Sequence, residues 1–247
     1  MIPYLRKEKI LALLNDKNLL TLDEIQEYID GVSMSTLRRD LKKLEDEGKI
    51  LLLTGGAVKL CSSATDLPVS TKKTMHKKNK EKIAILAAQL IENGDIIYLD
   101  SGTTCTALME LIYNKKITIV TSNTAIFHLV DKLVAEVIFL GGVLNDSLSS
   151  VSGPLTDKNI SIFNFDKAFI GANGVDVTKG VTTPSMIEAN KKQQVIKQAH
   201  NVFLLCDSSK FNKILQIKSF EVQQCTIISD KYDEIIGSRT KMIVPKD

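Results

Sequence analysis

The hydrophobic period of this chain changes from helical to extended near residue 48, and a second, alternating regime begins near residue 81. Over residues 5–14 apolar side chains recur at helical spacing, with Ile10, Leu13 and Leu14 on the inward face. Thr21 stands as the cap of a second short helix that carries Leu22, Ile25 and Ile29 on one side. Asp30-Gly31-Val32 supplies a tight turn, and Ser33 caps a third helix whose apolar stripe is Leu37, Leu41 and Leu44. After Gly48 the stretch 50–53, a turn at Gly55-Gly56 and the stretch 57–60 predict a two-stranded wing. Three small helices and a hairpin in this order predict a winged helix-turn-helix over residues 1–60.

Downstream, helical segments are expected at 83–91, 104–112, 125–133 and 185–200, and strands at 95–99, 117–121, 137–140, 167–170, 202–206 and 226–229. Short strands that are nearly all apolar and alternate with helices imply an α/β domain with a mostly parallel sheet covered on both faces. It is expected to occupy residues 81–247, with 61–80 as a lysine-rich linker. No repeat period or long low-complexity tract competes with this organisation.

Charge matters through its placement. The net charge is only +3, and residues 1–60 hold ten Lys/Arg against ten Asp/Glu. On the third helix, however, Ser35, Arg38, Arg39 and Lys42 project opposite the leucine stripe, while Asp46 follows further along that outer face. Such a pattern is commonly a solvated surface helix. Behind a helix-turn it suits a helix whose N-terminal half meets DNA phosphates and base edges, with Ser33, Ser35, Thr36, Arg38, Arg39 and Lys42 as the candidate DNA-facing set. Residues 72–82 carry six lysines against Glu81, and they serve either as a solvated connector or as a sequence-independent contact to DNA.

The remaining composition narrows the function classes. Cys61, Cys105, Cys206 and Cys225 are widely separated, and with His76, His128 and His200 they make no zinc-site spacing, so structural thiols and no bound metal are expected. No cofactor is expected either. No apolar run approaches the roughly 18 to 20 residues of a membrane span, and the N-terminus lacks a signal-peptide core, which points to a cytoplasmic, globular protein.

In an open parallel sheet, ligands bind where strands end and loops begin. Here those junctions read Asp100-Ser101-Gly102-Thr103-Thr104, Thr121-Ser122-Asn123 and Gly141-Gly142, joined by a glycine-rich loop with Gly171 and Asn173 and by Asp207-Ser208-Ser209-Lys210. Small hydroxyl residues and glycines let backbone N–H groups surround an anion at the positive end of a helix, and a phosphate is the natural guest. Each loop is also an ordinary turn or cap. Lys210 is either a phosphate contact or the surface partner of Asp207.

Taken together, 32–41 with its paired arginines, Leu44-Glu45, Gly48, Gly55-Gly56-Ala57 and the five junctions resemble the DeoR family of bacterial sugar-responsive transcriptional regulators over almost the whole length. The resemblance implies a winged helix-turn-helix joined to a sensor similar in fold to ribose-phosphate isomerase. It also implies a phosphorylated sugar as effector, operator DNA as partner, and repression of a sugar-utilisation operon. Paired DNA half-sites predict a homo-oligomer. The wing departs from the family pattern: Leu52 and Thr54 stand where an arginine and a histidine are typical, removing two phosphate contacts. A sugar-phosphate isomerase is the alternative function, but the loop 171–174 offers glycine and amide where similar isomerases carry acids, leaving only Asp176 nearby.

Overall fold

The structure, a computed structural model, describes every residue except Met1, Asn18, Asp30, Glu47, Gly48, Thr54, 61–68 and Asp247. Cys61, the turn residue Asp30, the helix end at Gly48 and the wing position Thr54 therefore lie outside the described residues. The chain forms two compact units, Met1–Thr65 and Asp66–Asp247.

The first unit contains α1 (Pro3–Lys17), β1 (Leu19–Thr21), α2 (Leu22–Tyr28), α3 (Met34–Asp46), β2 (Ile50–Leu52) and β3 (Ala57–Leu60). Thr21 caps α2 in a reciprocal arrangement: its hydroxyl accepts from the Glu24 N–H at 3.3 Å, and Glu24 accepts from the Thr21 N–H at 2.6 Å. Ile10, Leu14, Ile25, Ile29, Leu37, Leu41 and Leu44 converge with Ile50 and Val58 in one small core. Leu13, expected to face inward, is only half-buried. The wing gains a third, unexpected strand, because Leu19–Thr21 pairs antiparallel with β3 in the order β1-β3-β2.

In the second unit the helices α4 (Val69–Thr74) and α5 (Lys77–Ala88) precede β4 (Ile96–Leu99), α6 (Thr103–Ile112) and β5 (Thr118–Thr121). A 3-10 helix (Thr124–Lys132), β6 (Glu136–Phe139), β7 (Val143–Asn145), β8 (Ser150–Ser152), α7 (Pro154–Ile160) and β9 (Phe165–Gly171) follow. The chain continues through β10 (Gly174–Asp176), β11 (Gly180–Thr183), α8 (Met186–Gln198), β12 (Ala199–Leu205), β13 (Ile217–Phe220), β14 (Thr226–Ile228), α9 (Glu234–Gly237) and β15 (Met242–Ile243). The seven-stranded sheet has the order β15-β14-β12-β9-β4-β5-β6, and all its pairs are parallel.

The apolar strands are two-faced. Ile97, Leu99, Ile119, Phe169, Leu205 and Ile228 pack with Ile83, Ala87 and Leu108 of α5 and α6. Their neighbours Tyr98, Val120, Ala168, Ile170, Leu204 and Ile227 pack with Ile160 and Val195 of α7 and α8. Period-2 alternation between two hydrophobic layers is what a covered parallel sheet requires.

The expected linker over 61–80 is corrected from Val69 onward. That stretch is helical, and Met75 and Lys80 are buried against the second unit, where Asn79 also donates to Asp230 at 2.7 Å. Its lysines are interrupted by the apolar positions Val69 and Met75, which supply the surface that a solvated connector lacks.

Candidate functional site

On α3 the polar start and the outer face have separate roles. The Ser33 hydroxyl accepts from the Thr36 N–H at 3.3 Å and lies 3.0 Å from the hydroxyls of both Ser35 and Thr36, so this cluster fixes the helix start. Arg38 and Arg39 are exposed, and among the described residues neither enters an ion pair. Lys42 is engaged by its own helix, 2.7 Å from Glu45 and 3.8 Å from Asp46, and the Glu45 hydrogen bond raises its pKa. Two acids of α3 turn inward. Asp40 is buried and accepts from the Arg6 guanidinium of α1, while Glu45 accepts from the Leu52 N–H of the wing at 3.3 Å. With those carboxylates facing the core, the exposed N-terminal half of α3 is cationic although the unit as a whole is neutral.

In the second unit a cavity opens at the C-terminal ends of β4, β9 and β12. Strands run from β4 through β5 to one edge and from β4 through β9 to the other, so the connections leaving β4 and β9 diverge and leave a crevice between them. The Asp100 carboxylate bridges that crevice: it accepts from the Ser101 N–H at 2.9 Å, from the Gly171 N–H at 3.0 Å, and from the Lys192 ammonium of α8. Burial pushes Asp100 up, but Lys192 and Lys191 overcome this and hold it below its usual range; the same pairing raises Lys192 against its own burial.

Asp100, Ser101, Gly102, Thr103, Thr104, Gly171, Asn173 and Lys210 all line this cavity. The other expected residues do not. Thr121, Ser122 and Asn123 are buried in contacts of their own: Thr121 donates to the Leu99 carbonyl at 2.6 Å, Asn123 donates to Thr106 at 2.9 Å and caps the 3-10 helix through the Ala125 N–H, and Ser122 accepts from Lys191 at 3.3 Å. Gly141 and Gly142 belong to a packing contact instead. The Gly141 carbonyl accepts from Thr156 at 2.7 Å, and a Cβ on Gly142 would fall 2.1 Å from the Thr156 hydroxyl. The cause is strand order: β5 and β6 lie on the side of β4 away from the crevice, so their loops end elsewhere.

Sequence reasoning missed Lys72, His76, Lys80, Glu188 and Lys192, which line the same cavity. A signal was present: Lys80 precedes Ile83 and Ala84 on the buried stripe of α5, and Lys192 lies between Ala189 and Val195 on that of α8. A lysine on an apolar helical face needs a partner. Burial lowers Lys80 to a pKa of about 8; Asp207 opposes the shift, and the charges of Lys210 and Lys72 add to it. Asp207 moves the other way, since Lys210 and the Ser209 hydrogen bond outweigh the effect of its burial and hold it low. Cys105, Cys206 and Cys225 are buried free thiols. Among the described residues no cluster of His, Cys, Asp or Glu gathers as metal ligands would, and no helix is long and apolar enough to cross a membrane.

Similarity to known proteins covers both units. Residues 6–63 match the DeoR-like helix-turn-helix domain, and residues 75–231 match the DeoR C-terminal sensor domain. The chain is 36% identical over 216 residues to the HTH-type transcriptional regulator FruR of Bacillus subtilis, covering 86% of each protein. It is 30% identical to the HTH-type transcriptional regulator GlpR of Haloferax volcanii, covering 95% of each. Among solved structures, ribose 5-phosphate isomerase A of Methanocaldococcus jannaschii aligns with 55% of this chain and 54% of that one at 19% identity, with a TM-score of 0.40. With both domains matched and full-length relatives at this identity, the chain belongs to the DeoR family of helix-turn-helix transcriptional regulators.

Proposed function

We propose that this regulator is a repressor whose C-terminal cavity binds a phosphorylated sugar, and that the bound effector weakens operator binding by the N-terminal unit. The observation that carries the reading is the convergence of Lys72, Lys80, Lys192 and Lys210 with the backbone at the start of the ten-residue helix α6 on one cavity. Ammonium groups and a helix N-terminus together favour a multiply charged oxyanion. Asp100, Glu188 and Asp207 offer hydrogen-bond acceptors for sugar hydroxyls on the same walls.

Binding without turnover fits this cavity better than isomerisation does. Moving a proton between adjacent carbons needs a carboxylate free to act as base. Asp100 is held by Lys192 and two backbone N–H groups, Glu188 lies 2.9 Å from Lys191, and Asp207 accepts from Ser209. Asp176 does not line the cavity; it accepts from the Thr178 and Lys179 N–H groups of its own turn.

Ser33, Ser35 and Thr36 then orient α3, Arg38 and Arg39 carry much of its DNA affinity, and two copies of the chain bind paired half-sites. The test is a thermal-shift screen of phosphorylated sugars followed by operator titration with and without the best ligand at fixed salt. The expected result is a concentration-dependent stabilisation without interconversion of the sugar, and a coupling of about 1–3 kcal/mol between effector and DNA. Steady conversion of an aldose to a ketose phosphate would favour the enzyme. A monomer in sedimentation, free and on DNA, would remove the paired half-sites.

A further inference from the structure

The junction between α4 and α5 is unusual. His76 adopts left-handed backbone angles, φ 51° and ψ 34°, and no side chain caps the N-terminus of α5 there. A non-glycine residue in this region is uncommon and is held in place by its surroundings. The helix that it turns is short: α4 spans six residues, and its last carbonyls have no partner within the helix. The Val69 N–H donates to the Ser147 carbonyl at 2.8 Å, and the Lys80 ammonium donates to the Lys72 carbonyl. Lys80 also lines the cavity, as do Val69 and Lys72 from α4 and Met75 just after it.

We propose that Lys80 is a positioning residue through which an anion bound in the cavity fixes α4, its ammonium group holding the anion and the Lys72 carbonyl at once. This rests on the reading of the cavity as a phosphate site. An ammonium group has three donors, and one hydrogen bond to a carbonyl leaves two for a ligand. The charges of Asp207 and Lys210 from the turn after β12 and of Lys72 from α4 act on Lys80, and His76 at the junction lines the same cavity. Asp100 and Lys192 line the same cavity.

In the empty cavity, burial and the neighbouring lysines oppose the charge on Lys80, so its bond to the Lys72 carbonyl is weakened as pH approaches 8. An oxyanion reverses the balance. It favours the charged amine, which then binds the carbonyl by a charge-assisted hydrogen bond. Occupancy of the cavity is thereby converted into order in α4, the first described element after residues 61–68.

The sign follows directly. A folded pKa near 8 means that the charged form required by the anion is complete well below pH 8 and is lost above it in the empty protein, so anion affinity falls by up to about tenfold per pH unit beyond that point. Sulfate is the probe for the pH series, because its own charge is constant from pH 7.5 to 9.5, a range above the ordinary histidine titration. Inorganic phosphate is the probe for order, read by hydrogen–deuterium exchange on the full chain.

Phosphate is expected to slow exchange in both 100–104 and 69–75 of the wild type. In Lys80→Met it should slow exchange only in 100–104, with affinity lower by about tenfold or more. Lys80→Arg should keep the protection of α4 and flatten the sulfate pH profile, since guanidinium does not titrate in this range. Protection of α4 in Lys80→Met equal to wild type, or a flat wild-type sulfate profile, overturns the proposal while leaving the cavity assignment standing. Absence of protection at 100–104 in the wild type defeats the cavity assignment and the proposal with it. Should Lys80→Met not fold, wild type and Lys80→Arg decide the matter: phosphate protection of 69–75 in both supports the proposal, and its absence in wild type overturns it.

Discussion

The two units hold positive charge in opposite ways. On α3, Arg38 and Arg39 stand in solvent, backed by the apolar stripe of Leu37, Leu41 and Leu44 and clear of the acids that turn inward. In the sensor, Lys191 and Lys192 are withdrawn from solvent, and each is matched to a carboxylate and placed on a cavity wall or just behind it. An exposed cation costs little to hold and attracts any polyanion, with a strength that salt reduces. A buried cation is stable only where a carboxylate and other hydrogen-bond partners are held in place around it. Under the proposed function the same charge serves a long polymer in one unit and a small molecule in the other, and solvent access is what separates the two uses.

The largest effect that tests this contrast is in the sensor. Lys192→Met leaves the Asp100 carboxylate buried beside two N–H donors without its ammonium partner, and a loss of about 3–5 kcal/mol in urea unfolding is expected. Lys192→Met combined with Asp100→Asn should recover part of that loss, since no charge is stranded. The acid limb follows the same logic. Asp100 titrates below its unfolded range, so its contribution is complete above about pH 4 and fades as pH falls further, and Lys192→Met should lose this acid dependence.

The N-terminal unit contains one pair that behaves like the sensor's. Arg6→Met removes the guanidinium from buried Asp40, and a destabilisation of about 3 kcal/mol is expected, with DNA binding lost because α1 no longer fixes α3. A variant as stable as wild type would show that this pair is solvated and would blur the contrast.

At the exposed arginines the prediction inverts. Arg38→Ala and Arg39→Ala should each cost about 1–3 kcal/mol of operator affinity while changing unfolding stability by less than about 0.5 kcal/mol. A base-reading arginine relaxes specificity at one position, whereas a phosphate contact weakens all sequences and lowers the salt slope. Operator titration at several salt concentrations distinguishes them.

The smallest effect is expected at Lys42. Its ammonium is already shared between Glu45 and Asp46, so Lys42→Ala should change operator affinity by less than about 1 kcal/mol. A loss as large as that of Arg38→Ala would extend the cationic face past the middle of α3.

Legibility differed between the units for a physical reason. In the first, Thr21, the leucine stripe of α3 and the glycine turn act through neighbours in sequence, and the elements they predict are present. Only the pairing of β1 with β3 was hidden, since a three-residue strand has no periodicity to read. In the sensor six strands of the main sheet were readable, but its edge strand β15, the strands β7, β8, β10, β11 and β13 and the helices α4, α7 and α9 were not. These are short or mixed in polarity and gain stability from the surfaces they cover.

Local sequence, then, determined the helix-turn-helix, the alternation of strands and helices, and the composition of the loops at the strand ends. Caps, turns and hydrophobic period depend on residues a few positions apart. Which loops meet was decided by strand order. Placing β9 beside β4 brought Gly171 to Asp100 and opened the crevice there, while β5 and β6 carried Thr121, Ser122, Asn123, Gly141 and Gly142 away from it. Tertiary packing also delivered Lys80 and Lys192 to the cavity from two helices, because a lysine on an apolar stripe has no partner until distant carboxylates and carbonyls are folded against it.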